Sequence, residues 1–268
     1  MARRRTPALP GQRTGAPWGW AAAGLLVGTV LALAVFAPAR WLAQAVQRAT
    51  AGQVQLADAR GTVWNGHSRL VLTGGAGSSD AAALPGRVQW RLRPTLNGLS
   101  AALGADCCTT APLQLRAALG LGSARLDVAD GVSMWPAALL AGLGTPWNTL
   151  QLDGELGLST KGLSVEWSAG RLALSGRAEL AAARISSRLS TLRPMGSYRI
   201  TFNGGATSTL QLATLEGSLQ LSGEGRWVGS RLRFEGVASA APEREAALAN
   251  LLNIIGRRSG ARSIITIG

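Results

Sequence analysis

The sequence contains few of the residues from which catalytic and metal sites are built. Among its 268 residues there is one histidine, His67, and there are two cysteines. A metal site needs several Cys, His or carboxylate ligands at matched spacing, and the sequence has no such group. It also lacks a nucleophile elbow, a phosphate-binding glycine loop and a dinucleotide-binding fingerprint. We therefore expect no catalytic residue, no metal, no cofactor and no enzymatic activity.

The two cysteines, Cys107 and Cys108, are adjacent in the chain. A disulfide between neighbours closes a strained eight-membered ring and departs from the usual Cα separation. We therefore expect two small residues within a loop over residues 104–112. An intermolecular disulfide or a strained redox pair is the alternative.

Acidic residues are scarce relative to basic ones. The chain has 27 Lys and Arg against 14 Asp and Glu, a formal charge of +13, and its only lysine is Lys161. Such a surplus can attract nucleic acid, anionic lipid or an acidic protein. No nucleic-acid-binding motif is present, and the arginines are spread singly along strand-like segments, a pattern typical of a solvated face. We expect no nucleic-acid partner.

A long stretch without charge occurs once, at residues 18–36, which read WGWAAAGLLVGTVLALAVF. A helix rises about 1.5 Å per residue, so this stretch matches the ~30 Å hydrocarbon core of a bilayer. The residues before it include four arginines and no acid: Arg3, Arg4, Arg5 and Arg13. This charge flank predicts a cytoplasmic basic tail at 1–17 and a single membrane-spanning signal anchor at 18–37. The remainder is then periplasmic, outside a bacterial inner membrane.

The alternative for the same stretch is a cleaved signal peptide. Its basic flank fits, and Ala37-Pro38-Ala39 matches a small-x-small cleavage pattern. The apolar run is longer than a usual signal-peptide core, and tryptophans suited to the membrane interface stand at both ends. These features favour a retained anchor.

Beyond the apolar run the residue pattern changes twice. Residues 38–51 have Leu42, Ala45 and Val46 at helical spacing, which predicts a juxtamembrane helix. From 52 to 268, apolar and polar residues alternate in short segments about ten residues apart. This pattern predicts a mainly β domain with a curved antiparallel sheet, either a meander with an open groove or a sandwich.

Two segments interrupt the alternation with helical spacing. Residues 135–143, WPAALLAGL, predict a short helix with Pro136 in its first turn. Residues 242–255, PEREAALANLLNII, predict an amphipathic helix with one apolar stripe. We expect the stripe to pack on the sheet, with a partner groove as the alternative. A last strand is expected at 263–267.

A short unit, L-x-L-x-G, recurs within the strands. Its copies are Leu150-Leu152-Gly154, Leu172-Leu174-Gly176 and Leu219-Leu221-Gly223. Two leucines separated by one residue point to the same face of a strand. The glycine that follows either leaves room for a neighbouring side chain or marks a bulge. A series of such strands would give a sheet with one apolar face.

Two motifs connect the chain to a known family. Residues 61–66 read GTVWNG, with Gly61, Val63, Trp64 and Gly66, and residues 84–92 read LPGRVQWRL. The second motif contributes Leu84, Pro85 and Trp90. This pair of motifs, with a basic N-terminus, one apolar helix and a β domain, resembles the type II secretion system protein N family. The likeness covers nearly the whole chain in layout.

The resemblance implies an inner-membrane accessory subunit of the machine that exports folded proteins across the outer membrane. Its partners would be other type II secretion subunits at the inner membrane and in the periplasm, and it would have no catalytic residue. On physical grounds Trp64 and Trp90 are either core residues or anchors for a partner. Asn65-Gly66 suits a tight turn with positive φ.

A second interpretation starts from the repeated strands, which also resemble the curved sheets of AsmA-like envelope proteins. That resemblance implies a lipid-handling module whose apolar groove carries acyl chains, with membrane lipid as its partner. The leucines that would line the groove are Leu150, Leu152, Leu172, Leu174, Leu219 and Leu221. If these side chains pack dry against other elements, no groove exists at those positions.

Overall fold

A computed structural model describes residues 18–168, 170–229 and 231–268. The chain divides into two compact units, Met1–Ala37 and Pro38–Gly268, which are described separately. The first contains helix α1, Trp18–Val35, whose mean hydropathy is high and none of whose residues is buried. It is long and apolar enough to cross a membrane, as the sequence predicts. The predicted tail at 1–17 lies outside the described residues.

The described residues of the second unit include three α-helices and one 3₁₀ helix. Helix α2 spans Ala39–Ala49 and follows Pro38, as predicted for the juxtamembrane segment. A 3₁₀ helix covers Ala137–Leu143, and helix α3 covers Trp147–Leu150. Helix α4 spans Glu245–Ile255. It begins later than the predicted Pro242 because Glu243 has a φ of 68°, which a helix does not allow.

The rest of the second unit is β-structure. The strands, in chain order, are β1 Val54–Gly61, β2 Asn65–Thr73, β3 Ala81–Ala83, β4 Val88–Thr95, β5 Gly98–Ala105, β6 Leu113–Gly120, β7 Ser123–Val128, β8 Gly131–Pro136, β9 Leu152–Ser168, β10 Arg171–Ser187, β11 Gly196–Asn203, β12 Thr209–Gly217, β13 Leu219–Val228, β14 Arg231–Ala240, β15 Arg257–Ser259 and β16 Arg262–Ile267. The predicted helix at 135–143 is wrong in its first two residues, because Trp135 and Pro136 pair with β9 as the end of β8.

All these strands belong to one sheet, and every pairing is antiparallel. The order is β1-β2-β4-β5-β6-β7-β9-β10-β11-β12-β13-β14-β16-β15, with β3 added to β2 and β8 added to β9. Strands adjacent in the chain are almost always adjacent in the sheet. The fold is therefore an open meander, and the sandwich that the strand pattern also allowed is not formed.

The meander places its connections at two opposite ends of the strands. One end, which we call the tip end, has the tight turns after Thr95, Gly120 and Val228, where paired strands meet. The other, the base end, has the longer connections at 106–112, 188–195 and 241–244. Strands β9 and β10, each 17 residues long, run the whole distance between the two ends.

The largest hydrophobic core lies at the base end. Its buried members are Ala137, Leu150, Leu156, Ile185, Met195, Tyr198, Leu219, Ala238, Leu248, Leu251 and Leu252. The last three come from α4 and are at most 2% exposed, so this helix buries its stripe on the sheet as expected. Ser263 of β16 donates a hydrogen bond to the backbone oxygen of Leu252, 2.5 Å away, which ties the helix to the last strands.

The glycines of the L-x-L-x-G unit serve both purposes that the sequence allows. Gly176 has a φ of 84° and sits at a bulge between β9 and β10, where a Cβ would collide with the backbone of Gly162. Gly223 leaves the space that the ring of Phe234 fills from the neighbouring strand. The first copy differs, because Gln151 adopts a left-handed conformation and Leu150 belongs to α3 instead of a strand.

Candidate interaction surfaces

The first family motif forms a corner between β1 and β2. The backbone N–H of Thr62 donates to the oxygen of Asn65 at 2.9 Å, and the Thr62 hydroxyl accepts from the N–H of Asn65 at 3.1 Å. The backbone oxygen of Trp64 accepts from the N–H of Leu92 in β4 at 2.7 Å. Pro38, the first residue of the second unit, forms a β-bridge to Thr62. The motif therefore closes the turn beside the point where the chain enters the β domain.

Trp90 of the second motif packs against this turn and is hydrogen-bonded to its backbone. Its side chain is 5% exposed, and its indole N–H donates to the backbone oxygens of Thr62 and Val63 at 3.2 and 3.0 Å. Gly66 lies against the ring, where a Cβ would come within 2.5 Å of a ring carbon. The prediction that Asn65-Gly66 needs positive φ is wrong, because the left-handed residue of this corner is Gly61, with a φ of 93°.

Leu84 joins a second, smaller core at the base end. It is 2% exposed and clusters with Ala105 and Cys108, while Pro85 beside it is exposed. Cys107 and Cys108 form a disulfide with each other, so the expectation of two unpaired loop residues is wrong. Cys108 is 5% exposed and belongs to this core, so burial holds the loop where adjacent sulfurs can bond.

Strand register places the apolar residues on one face of the sheet, because residues directly opposite each other share a face. Leu156 pairs with Ala182, and Ala182 pairs with Tyr198. Leu156, Ala182 and Tyr198 therefore form a row across β9, β10 and β11. Helix α4 and the 3₁₀ helix cover this row and the residues next to it at the base end. We call this part of the apolar face the covered half.

The same face continues toward the tip end without cover from a core cluster. This open half comprises Leu126, Val165, Trp167, Leu172, Leu174, Phe202 and Leu210, none of which belongs to either cluster. Leu126 is 39% exposed and Trp167 is 59% exposed. The rings of Phe202 and Trp227 meet edge to face at 5.3 Å, so part of the open half packs against itself.

The six leucines predicted to line a groove do not lie in one place. Leu150 and Leu219 are buried in the base-end core, and Leu152 and Leu221 pack against it. Leu172 and Leu174 lie in the open half, where they pair with Trp167 and Val165 of β9. A groove for acyl chains could therefore involve the second L-x-L-x-G copy, and the other two copies are part of the packed interior.

The opposite face of the sheet is polar. Glu179 of β10 lies 2.8 Å from Arg199 and 3.2 Å from Arg177, and Arg184 lies 3.0 Å from Glu155. These pairs are solvent-exposed to a large degree, so they contribute little to stability. The scattered arginines thus form a solvated face, as the sequence indicates.

Ionisable groups offer no reactive centre in the part of the chain that the structure describes. No group of three or more His, Cys, Asp or Glu within residues 18–168, 170–229 and 231–268 could hold a metal ion. Burial raises the pKa of Tyr198 well above its ordinary value, which keeps the phenol neutral. Tyr198 is packed in the base-end core, and its buried hydroxyl has no hydrogen-bond partner among the described residues.

Sequence reasoning missed the apolar residues at the tips of the hairpins. Leu96 and Leu121 are fully exposed, each at the centre of a tight turn. The turn sequences TLNG and GLGS each contain a single large apolar residue, and this pattern could have indicated an exposed leucine at the hairpin tip. Turn residues are usually small or polar, so these leucines are not explained by turn formation.

The comparisons with known proteins support one assignment. A family model described as type II secretion system (T2SS), protein N, matches residues 52–265. No curated protein and no solved structure matches the chain. The matched residues comprise almost the whole β domain, from the strand before the first motif to the last strand. The chain therefore belongs to the type II secretion system protein N family, whose members are accessory subunits of that apparatus.

Proposed function

We propose that this protein is a non-enzymatic, single-pass subunit of the inner membrane that supports secretion through protein contacts of its β domain in the periplasm. The family match over residues 52–265 carries the proposal. Helix α1 supplies a segment able to hold the domain at the membrane. The disulfide at Cys107–Cys108 supports a periplasmic location, because disulfides persist in oxidising compartments.

The C-terminal edge of the sheet suits such a contact. Strand β15 covers only residues 262–264 of β16, so Ile265, Thr266 and Ile267 have a described strand partner on one side alone, β14. A partner strand could add to this edge through main-chain hydrogen bonds. The two arginines of β15 beside it, Arg257 and Arg258, would favour a partner with acidic residues.

Deletion of the gene is the primary test. Secreted enzymes should remain in the periplasm of the deletion strain, and a plasmid copy of the full chain should restore their appearance in the medium. Unchanged secretion together with unchanged levels of the other subunits would contradict the role in the apparatus.

Two substitutions test the edge specifically. Thr266→Lys places a charge on the edge strand, where lysine opposes the addition of another strand. Gln211→Lys is the matched control, because Gln211 lies exposed on the same face in the interior strand β12. We expect Thr266→Lys to lower secretion and Gln211→Lys to leave it unchanged. Equal activity of the two variants would exclude the edge as a contact.

The proposed orientation has its own test. The positive flank of α1 predicts a cytoplasmic N-terminus and a periplasmic C-terminus. A reporter active only in the periplasm should therefore be active when fused after Gly268, and a reporter active only in the cytoplasm should be silent there. The opposite pattern would contradict the placement on which the contacts depend.

A second candidate function is lipid handling, favoured by the uncovered apolar residues of the open half. Leu126, Val165 and Leu174 lie side by side on three neighbouring strands and form part of an apolar floor. Such a floor could accept an acyl chain. Mass spectrometry of lipids extracted from the purified full chain tests this directly. We expect bound phospholipid to fall when Leu174→Asp is introduced, and an absence of lipid from the unaltered protein would contradict carriage.

A further inference from the structure

The exposed apolar residues of the β domain are concentrated at the tip end. Strand ends and turns there present a tip patch, which we define as Leu96, Leu119, Leu121, Trp167 and Val228. All five are between 48% and 108% exposed. A soluble surface rarely presents this many large apolar side chains on successive turns.

The charges around the tip patch have one dominant sign. The nearby arginines without an ion pair in the described residues are Arg93, Arg171, Arg226 and Arg231. Two acids, Asp127 and Glu166, lie within 2.8 and 4.0 Å of Arg125, so these three residues together carry one negative charge. With the four arginines that have no ion pair, this part of the tip end keeps a net charge of +3.

The chain enters the β domain on the same side. Pro38 bridges to Thr62, whose turn is bonded through Trp64 to Leu92, and β4 continues from Leu92 to the tip turn. The residues directly before Pro38 belong to the unit with the apolar helix. Pro38, the first residue of the second unit, thus lies on the side of the sheet from which β4 continues to the tip patch.

We propose that the tip end docks on the surface of an anionic bilayer. The tip patch is divided among several turns, and a fluid lipid interface adapts to apolar side chains spaced in this way. Leucine and tryptophan would enter the headgroup region while the arginines contact lipid phosphates. This contact is additional to the family role, and it would fix which end of the sheet faces the membrane.

Fluorescence quenching in proteoliposomes tests the docking with the full chain. The native cysteines are paired with each other, so a bimane dye will label a single introduced cysteine. Asn97→Cys places the dye at the tip, and Thr191→Cys places it on an exposed connection at the base end. The vesicles contain phosphatidylethanolamine and phosphatidylglycerol with a nitroxide quencher on the lipid headgroup. We expect quenching at least several-fold stronger at position 97 than at position 191.

Two double variants distinguish docking by the tip patch from non-specific hydrophobic adsorption to the vesicles. Leu96→Ser with Leu121→Ser should lower docking at the tip by at least about tenfold, since the loss of only two inserted methylenes, at about 0.8 kcal/mol each, already corresponds to that factor. Val132→Ser with Met134→Ser removes two exposed apolar residues elsewhere on the sheet and should leave quenching unchanged.

Three outcomes would overturn the proposal: equal quenching at the two positions, no effect of the tip variant, or the same effect from the control. The vesicles contain no other secretion subunit, so the result is independent of the role in secretion. A partner protein as the true occupant would appear as absent quenching at the tip.

Discussion

The two halves of the apolar sheet face have the same residue pattern and different surroundings. In the covered half, Leu219 is 3% exposed and is packed beneath helix α4. In the open half, Leu172 is 40% exposed and no core cluster includes it. Alternation of apolar and polar residues therefore reports which face of a strand is apolar, and a separate element decides whether that face is structural or available for contacts.

The comparison also indicates how the fold can remain stable with part of its apolar face exposed. Helix α4, the 3₁₀ helix and the base-end connection at 188–195 supply five of the eleven buried residues of the base-end core. The tip end is held mainly by the strand pairing of β9 with β10 and of β13 with β14. Substitutions should thus be costly at the base and tolerated at the tip.

The largest effect should follow from a charge placed beneath helix α4. Leu252 is 1% exposed, so Leu252→Asp buries a carboxylate without a partner and should lower the free energy of unfolding by more than about 4 kcal/mol. Asn253→Asp, one residue further and exposed, is the matched control and should have little effect. Thermal melts of the two variants measure the difference. Similar melting temperatures would show that α4 does not cover the sheet.

A pair of truncations should give the next largest effect and compares the halves directly. Leu219→Ala should cost about 3 kcal/mol because it leaves a cavity in the packed core. Leu172→Ala should cost less than about 1 kcal/mol because solvent reaches that side chain already. Urea unfolding of both variants provides the values. Equal costs would mean that the open half is packed in solution.

The corner formed by the first family motif lies toward the tip end, yet it should be sensitive to substitution. Gly66→Ala brings a Cβ within 2.5 Å of the Trp90 ring and 2.6 Å of the Arg60 oxygen, and should cost about 2 kcal/mol. Gly104→Ala in β5 is the control, because its nearest neighbour lies 3.9 Å away. Circular dichroism melts distinguish them. A neutral Gly66→Ala would show that Trp90 does not pack against the corner.

The smallest effect concerns pH and the single tyrosine. The pKa of Tyr198 is raised in the folded state, so the native protein keeps its proton while the unfolded chain loses it above about pH 10. Stability should therefore fall by up to about 1.4 kcal/mol per pH unit there, relative to Tyr198→Phe. Below pH 10 the difference between the two proteins should not depend on pH. Parallel stability curves up to pH 11 would contradict burial of this phenol.

Much of the architecture follows from the sequence because it depends on local pattern. The uncharged run at 18–36 predicts α1, and alternation predicts the antiparallel strands. The stripe of residues 242–255 predicts a helix that packs on the sheet, which its buried leucines confirm. The sequence allows Trp64 and Trp90 to be either core residues or partner anchors; Trp90 is buried as a core residue, whereas Trp64 is half-buried.

Other features depend on backbone conformations or long-range packing that local pattern does not encode. A left-handed Gln151 ends α3 and removes Leu150 from its expected strand. Burial of Cys108 between distant strands accompanies the disulfide that spacing alone disfavoured. The division into covered and open halves depends on where α4 packs. Strand β10 has a similar residue pattern along its whole length, so this pattern does not show which part of its apolar face the helix will cover.

Strand β10 permits the most direct test of that division, because it crosses both halves. Its positions on the apolar face run from Leu172 and Leu174 at the open half to Ile185 in the base-end core. Each can be replaced singly by cysteine in the full chain held in nanodiscs of neutral lipid, with the native cysteines already paired. The rate of labelling by a small polar maleimide then reports exposure position by position.

We predict labelling rates that fall steadily from position 172 to position 185, by more than about a hundredfold overall, since a buried thiol reacts only through transient opening of the core. A uniform rate along the strand would contradict the account, because the apolar face would then be covered, or exposed, along its entire length.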